Sequence, residues 1–307
     1  MTRGLASFVV RRLAAAVIFA LLVSTATYLV ARIAPGDETT ADFIAGVSQE
    51  AIEAKRERLG LDDPLPVQVG RWLAGVLTLD LGTSSAFQRP VGALVFERGW
   101  NTARLAAAAL LLALGIGLPV GILTGAFPRH PLTRWFAVPL SLALVACPPL
   151  VAALGLLLLA VSTGLLSTSP GALLLPAIAL GLPLAAMIER LQSQAMAETL
   201  AGDGARAAAA RGLPRARIIW RHAARLSVRP VLGVFGILLG SLLSGSLAVE
   251  LVAAWPGLGR LLYDAMLASD VTLVAGCVVA GACCLAAGNL VADTLRAVID
   301  PRTTESA

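Results

Sequence analysis

Lysine is nearly missing from this chain. Lys55 is the one lysine among 24 Lys and Arg residues, and it lacks the flanking glycines of a phosphate-binding loop. The G-x-x-x-x-G-K-[ST] pattern that cradles nucleotide phosphates occurs nowhere, which excludes a P-loop ATPase. Histidine is almost as scarce. His130 and His222 are the only two, and neither belongs to an H-E-x-x-H pair, so a zinc protease is not supported. The four cysteines, Cys147, Cys277, Cys283 and Cys284, fall in apolar runs without C-x-x-C spacing. They read as small buried hydrophobes, not as a disulfide framework or a metal site. Charged residues make up 14% of the chain, against about 25% in soluble domains. The formal net charge of +5 is not laid out as a stripe with interleaved aromatics, so nucleic acid is not an expected partner.

Alanine, leucine, valine and glycine fill the room that charge leaves. The chain is 57% hydrophobic, with a mean hydropathy of +0.82, and reads as an all-α integral membrane protein. A transmembrane helix needs about 17–25 mostly apolar residues. Six runs qualify: Leu13–Ala31, Thr102–Ala126, Phe136–Val161, Ala172–Ile188, Val231–Val249 and Thr272–Val291. The first is longer than the apolar part of a secretory signal, about 7–15 residues. It ends in Arg32 without a clear small-residue cleavage site, so it is expected to be retained. Asn101 is placed to cap the second run. Cys147-Pro148-Pro149 interrupts the third, where two missing backbone donors call for a kink or a break. The Ser167–Gly171 stretch reads as a turn. Glu250 and Asp293 lie near span ends and read as interfacial.

Orientation follows from the arginines. The N-terminal residues, the 127–134 connection, the 189–229 loop and the tail hold fifteen of the 24 Lys and Arg residues. The positive-inside rule puts these on the cytoplasmic side, with both termini there. The 35–101 segment carries ten acids against six bases and falls outside. Within it, Ser48–Arg58 reads as a short helix stopped by Gly60, and Asp62–Pro66 as a turn before an amphipathic piece around Trp72. The organisation is thus an N-terminal segment and first span (1–34), an extracytoplasmic segment (35–101), and a five-helix core (102–307) with a cytoplasmic loop at 189–230.

That loop reads as helix, stop, helix. Residues 198–211 are rich in alanine, the best helix former. Gly212 suits the left-handed residue after a helix, Leu213 the hydrophobic contact behind it, and Pro214 the first turn of a new helix. Small residues at 207–210 would let a groove of another protein approach the backbone. Arg217, Arg221, Arg225 and Arg229 follow at steps of four, which places them on one helical face. They suit either a protein partner or anionic lipid head groups.

At this point the sequence resembles a known family. Residues 198–230 look like the cytoplasmic loop of ABC-importer permeases in the dipeptide, oligopeptide and nickel group. The usual form is roughly E-x-x-x-x-D-Y-x-x-x-A-x-A-K-G-L, then a basic helix with R-H-A-x-x-N and a proline. Glu198, Asp203, Gly212, Leu213, Arg221, His222, Ala223 and Pro230 fall on it, with Arg206, Ala207 and Ala209 among the residues between. Gly204 replaces the common aromatic and Arg211 the lysine. Arg11–Leu13, Ala34–Asp37, Leu59–Gln68, Leu79–Ser84, Arg89–Val91 and Trp255–Ala265 resemble further family segments in order, with Glu38 where proline is usual.

The resemblance implies a type I importer architecture of six transmembrane helices in a bacterial cytoplasmic (inner) membrane. It implies a second homologous permease, two ABC ATPase subunits and an extracytoplasmic substrate-binding protein as partners, all around the lipid bilayer. ATP and Mg would sit on the ATPases, with no cofactor on this chain. The coupling contact would be a short helix around Ala205–Arg211, including Ala208, seated in an ATPase groove. Trp255, Pro256, Gly257 and Gly259 could border an outer gate, or be an interfacial anchor and a turn. Pro148 and Pro149 could line the pathway, or only kink a helix. The rival reading is an ion-coupled secondary transporter. Such carriers usually keep ionisable residues deep in their spans; Arg104 is the nearest candidate here, and no acid is expected mid-span. A membrane-embedded enzyme would need a buried nucleophile with a base. Ser241 and Ser244 have no such partner, and their small side chains suit helix packing.

Overall fold

The computed structural model describes residues 2–33, 47–60, 62–164, 169 and 171–299. The 34–37 stretch, Glu38, most of the 167–171 turn and the tail arginine Arg302 lie outside the described residues. In chain order the helices are α1 (Thr2–Ile33), α2 (Gln49–Leu59), α3 (Leu65–Thr78) and α4 (Val91–Ala126). A π-helical turn (Thr133–Ala137) leads into α5 (Val138–Ala146), α6 (Pro149–Thr163), α7 (Leu174–Ala201) and α8 (Asp203–Ala210). Next come α9 (Arg215–Arg217), a second π turn (Ile218–Ala223), α10 (Ala224–Ser227), α11 (Arg229–Gly233), α12 (Phe235–Val252), α13 (Leu258–Leu267) and α14 (Val271–Ile299). Among the described residues the one extended pairing is an isolated antiparallel bridge between Thr83 and Pro90.

Among the described residues, four helices are long and apolar enough to cross a membrane: α4, α7, α12 and the Val271–Thr294 part of α14. The 133–146 and 149–163 helices pass the same test as a pair, bent by 111° at Cys147-Pro148, which brings the number to as many as five. Within α1 the qualifying apolar stretch is the shorter Val17–Val30. The third run is therefore broken, not one straight span. Cys147 turns extended with ψ 115°, and Pro148 follows at ψ 144°. Without N–H groups, the two prolines cannot continue the helical ladder of α5. Large apolar side chains such as Leu111, Leu140, Leu158, Leu159 and Val161 are exposed along these helices. That surface suits lipid and is unusual for a soluble monomer.

Helix limits follow local chemistry in most places. Ser48 precedes α2 in extended conformation, and Gly60 ends it at φ +63°. Asp270 caps α14, its Oδ1 accepting the Leu273 N–H at 2.9 Å, the standard N-cap bond. The second apolar run departs from expectation. Its helix begins at Val91, so Asn101 is interior to α4 and does not cap it. The Asn101 side chain instead donates to the Pro256 carbonyl at 2.9 Å.

The chain divides into two compact units, residues 1–102 with 256–287, and residues 103–255 with 288–307. In the first, Val91, Leu94, Leu261, Ala265, Leu273 and Cys277 form a buried core. Trp72 of α3 stacks on Tyr28 of α1 with ring centroids 5.4 Å apart, and its Nε1–H donates to Ser24 at 2.7 Å. The 82–90 loop is held by Asp270 as well. Ser84 Oγ donates to Oδ2 at 2.6 Å and the Ala86 N–H at 3.1 Å.

In the second unit α7 is the central helix, with α5, α6 and α12 packed on it. Leu105, Ala109, Ala179, Ile188, Leu238 and Leu242 belong to its core. The seam between α4 and α7 is built from Gly117, Gly121 and Gly125. A Cβ at these positions would lie 2.6, 2.8 and 2.4 Å from the carbonyl oxygens of Ala185, Glu189 and Ser193. Glycines four apart let two helix backbones touch, as in the small-xxx-small pattern of membrane helix pairs.

Candidate functional site

The 198–230 segment lies wholly in the second unit. α7 continues to Ala201, well past the expected end of the fourth span, so Glu198 still belongs to it, its Oε1 accepting from Gln194 at 3.1 Å. Gly202 breaks the helix in extended conformation, and α8 starts at once. Asp203 stands in its first turn, where a negative charge suits the helix dipole. Arg206 closes this end, donating to Asp203 at 3.2 Å and to the Ala201 carbonyl at 2.7 Å.

The other end of α8 is a complete Schellman stop. Gly212 is left-handed at φ +80°. Its N–H donates to the Ala209 carbonyl at 2.9 Å, and the Leu213 N–H to the Ala208 carbonyl at 3.2 Å. These two bonds define the motif. Pro214 is extended and opens α9. Ala208 is buried, Ala205 half-buried, and Ala207, Ala209, Ala210 and Arg211 are exposed. The helix thus presents small side chains outward, with its C-terminal carbonyls satisfied.

Beyond Gly212, Arg217, Arg221, Arg225 and Arg229 are all exposed, as are His222 and Pro230. Their spacing of four does not stack them on one α-helical face, because the π turn at Ile218–Ala223 and the junction at Val228 interrupt the helix. A π turn bonds i to i+5 and shifts the angular register. Ile219, Ala223 and Ala224 pack with Ile122 and Ala126 of α4 and Met196 of α7, which holds the segment against both helices.

Known proteins fit the same pattern. Residues 117–305 match the family described as "Binding-protein-dependent transport system inner membrane component", and residues 5–101 its N-terminal companion. The glutathione transport system permease protein GsiC of Salmonella paratyphi A is 32% identical, over 96% of this chain and 98% of its own. The oligopeptide transport system permease protein AppB of Bacillus subtilis is 29% identical, over 97% and 99%. A Brucella suis chain provisionally named a peptide transport system permease protein is 34% identical, over 96% and 98%. The chain belongs to the ABC-importer permeases of the peptide/nickel family.

This permease is a multi-pass membrane protein, and its family works as transport subunits, not as ATPases. The residues suggested for its gate are divided. Trp255 is buried in the second unit's core, which does not suit an interfacial anchor, and its N–H donates to the Glu250 carbonyl at 2.9 Å. Ala254 before it takes φ +51°, an uncommon value for a residue with a Cβ. Pro256, Gly257 and Gly259 belong to the first unit, where Gly257 precedes α13 and the Leu258 N–H donates to Thr102 at 2.8 Å. Pro149 sits against Gly245 of α12, where a Cβ would come within 3.3 Å of its ring.

Three features of the permease escaped the sequence reading. Glu189 is not the start of a loop but a buried residue inside α7, 4% exposed, accepting from Thr124 Oγ1 at 2.5 Å. Glu250 is fully buried, two residues from the end of α12. Arg215 reaches across to α4, donating to the Ala126 carbonyl at 3.3 Å and lying 5.3 Å over the Phe127 ring. A cation at the last carbonyls of a helix is favourably placed. None of the three carries a local sequence signal, and the partners of Glu189 and Arg215 lie on a distant helix.

Proposed function

We propose that the permease is one of two membrane subunits of an ATP-driven importer of peptides or a related small solute, such as a nickel complex. The names of its relatives support peptides as the cargo class. It spans a bacterial inner membrane six times with both termini in the cytoplasm: four long helices, the bent pair as one span, and α1 as the sixth. The arginine distribution supports that orientation. Its partners are a second homologous permease, two ABC ATPase subunits that bind ATP and Mg, and an extracytoplasmic binding protein.

The observation that carries this reading is α8, a short helix with a Schellman stop and an outward face of alanine. In the proposed cycle it sits in an ATPase groove. When the ATPases close on ATP, the groove displaces α8. Gly202 alone separates α8 from α7, and the glycine seam joins α7 to α4, so displacement passes to the spans as rigid-body movement. ATP binding and hydrolysis supply the differential free energy that shifts the inward- and outward-open populations.

A cysteine at Ala209, in a background lacking Cys147, Cys277, Cys283 and Cys284, tests this in native membranes. The expected result is an adduct to an ATPase subunit whose yield changes with nucleotide. No adduct at Ala209 or Ala207, with normal membrane expression, would sink the coupling role.

A further inference from the structure

We propose that Gln192 and Ser227, with the Thr124–Glu189 pair beside them, form a polar clamp that converts movement of α8 into movement of the spans. This rests on the coupling role just given to α8.

The geometry is a closed loop. α8 is tied to the bundle at its N-terminal side by α7 and at its C-terminal side through α9 and α10. Each route contains a glycine, Gly202 and Gly212, about which the chain could yield. Gln192 of α7 donates from Nε2 to Ser227 Oγ of α10 at 2.7 Å, a contact between residues 35 positions apart. It joins the two routes at their base. One turn before Gln192, Glu189 takes the Thr124 hydroxyl of α4 at 2.5 Å. Thus α4, α7 and α10 are cross-linked within one turn of α7. With this base fixed, any movement of α8 that the two glycines do not absorb is carried by all three helices together.

Burial makes the clamp a coupling device and not merely packing. Gln192 is wholly buried, Ser227 is 1% exposed and Thr124 4%. Apolar side chains would fill such positions without any directional demand. A buried hydrogen bond fixes register, since breaking it leaves both partners without solvent. Ser227 Oγ also donates toward the Ala224 carbonyl at 3.1 Å and lies 3.5 Å from Met196 Sδ. Glu189 Oε2 and Gln192 Oε1 are buried without a donor among the described residues. Acceptors on α7 thus outnumber the donors that α4 and α10 offer. Each hydroxyl also has a backbone acceptor within reach, Thr124 the Gly121 carbonyl at 3.3 Å and Ser227 the Ala224 carbonyl at 3.1 Å, so a second arrangement is open to the clamp as the helices shift.

The test uses the assembled transporter in proteoliposomes, with peptide uptake and ATP hydrolysis read together. Gln192→Leu and Ser227→Ala are expected to lower peptide transported per ATP hydrolysed about fivefold. The nucleotide-sensitive Ala209 cross-link should persist in both. Ser227→Thr keeps the hydroxyl beside the adaptable Met196 and is expected to restore most of the ratio. An unchanged ratio in Ser227→Ala would overturn the clamp. So would a loss that Ser227→Thr does not repair, since that marks a packing defect. If the unmodified chain gives no Ala209 adduct, the coupling role itself has failed, an outcome separate from these.

Discussion

The permease contains two surfaces made of the smallest side chains, and they are used in opposite ways. Along α4, Gly117, Gly121 and Gly125 are pressed so closely on α7 that a Cβ would meet backbone oxygens at 2.4 to 2.8 Å. Along α8, Ala207, Ala209 and Ala210 face outward with nothing of the described chain over them. Small residues bring backbones together only where a second backbone is supplied. α7 supplies it to α4. Among the described residues none supplies it to α8, which suits the docking proposed for that helix. The two therefore differ in what they should tolerate: the glycine seam is a matter of folding, the alanine face one of assembly.

The largest effect is expected at the seam. Gly125→Val would set a branched side chain 2.4 Å from the Ser193 carbonyl and 2.7 Å from Met196 Cβ. Overpacking of this kind costs about 3 kcal/mol or more when backbones must separate. The yield of monodisperse protein and its thermal midpoint in detergent should both fall. A wild-type midpoint would mean that α4 and α7 are not held at this distance.

Gly212→Ala is expected to be intermediate. Left-handed backbone with a Cβ costs about 1–2 kcal/mol, and Gly212 stands at φ +80° with open space around its Cβ direction. The penalty is therefore conformational alone. Thermal unfolding should show a shift of that size, with Gly212→Asn milder than Gly212→Ala because asparagine visits this region more readily. Equal effects of the two would assign the position a contact instead.

The contrast also marks what was legible in the sequence. The stop at Gly212, the breaks at Gly60 and Pro148, and the helix of alanines are local events written in adjacent residues, and each stands where the residues put it. The glycines at 117, 121 and 125 were equally visible, but their meaning depends on α7, some sixty residues away. Asn101 looked like a cap because a polar residue before an apolar run usually is one. Here its partner is the Pro256 carbonyl, and the helix passes through it. The arginine spacing of four presumed an uninterrupted helix, whereas packing of Ile219 and Ala223 against α4 and α7 accompanies a π turn. Glu189 read as part of a charged loop, because the Thr124 hydroxyl that receives it lies on another helix. Local chemistry was readable; pairings across the bundle were not.

Ala209→Leu should have the smallest effect on stability and a severe one on transport. Leucine nearly equals alanine in helix propensity, and Ala209 is exposed, so the thermal midpoint should correspond to a change within about 0.5 kcal/mol. Three added side-chain carbons still hold an incoming surface away from the backbone of α8. ATP-dependent uptake by the assembled transporter should therefore collapse while the isolated chain remains as stable as before. The seam predicts the reverse order, with stability lost first and uptake only as its consequence. If Ala209→Leu instead destabilises the isolated chain by as much as Gly125→Val, the alanine face is packed within the permease, and both small-residue surfaces belong to its own core.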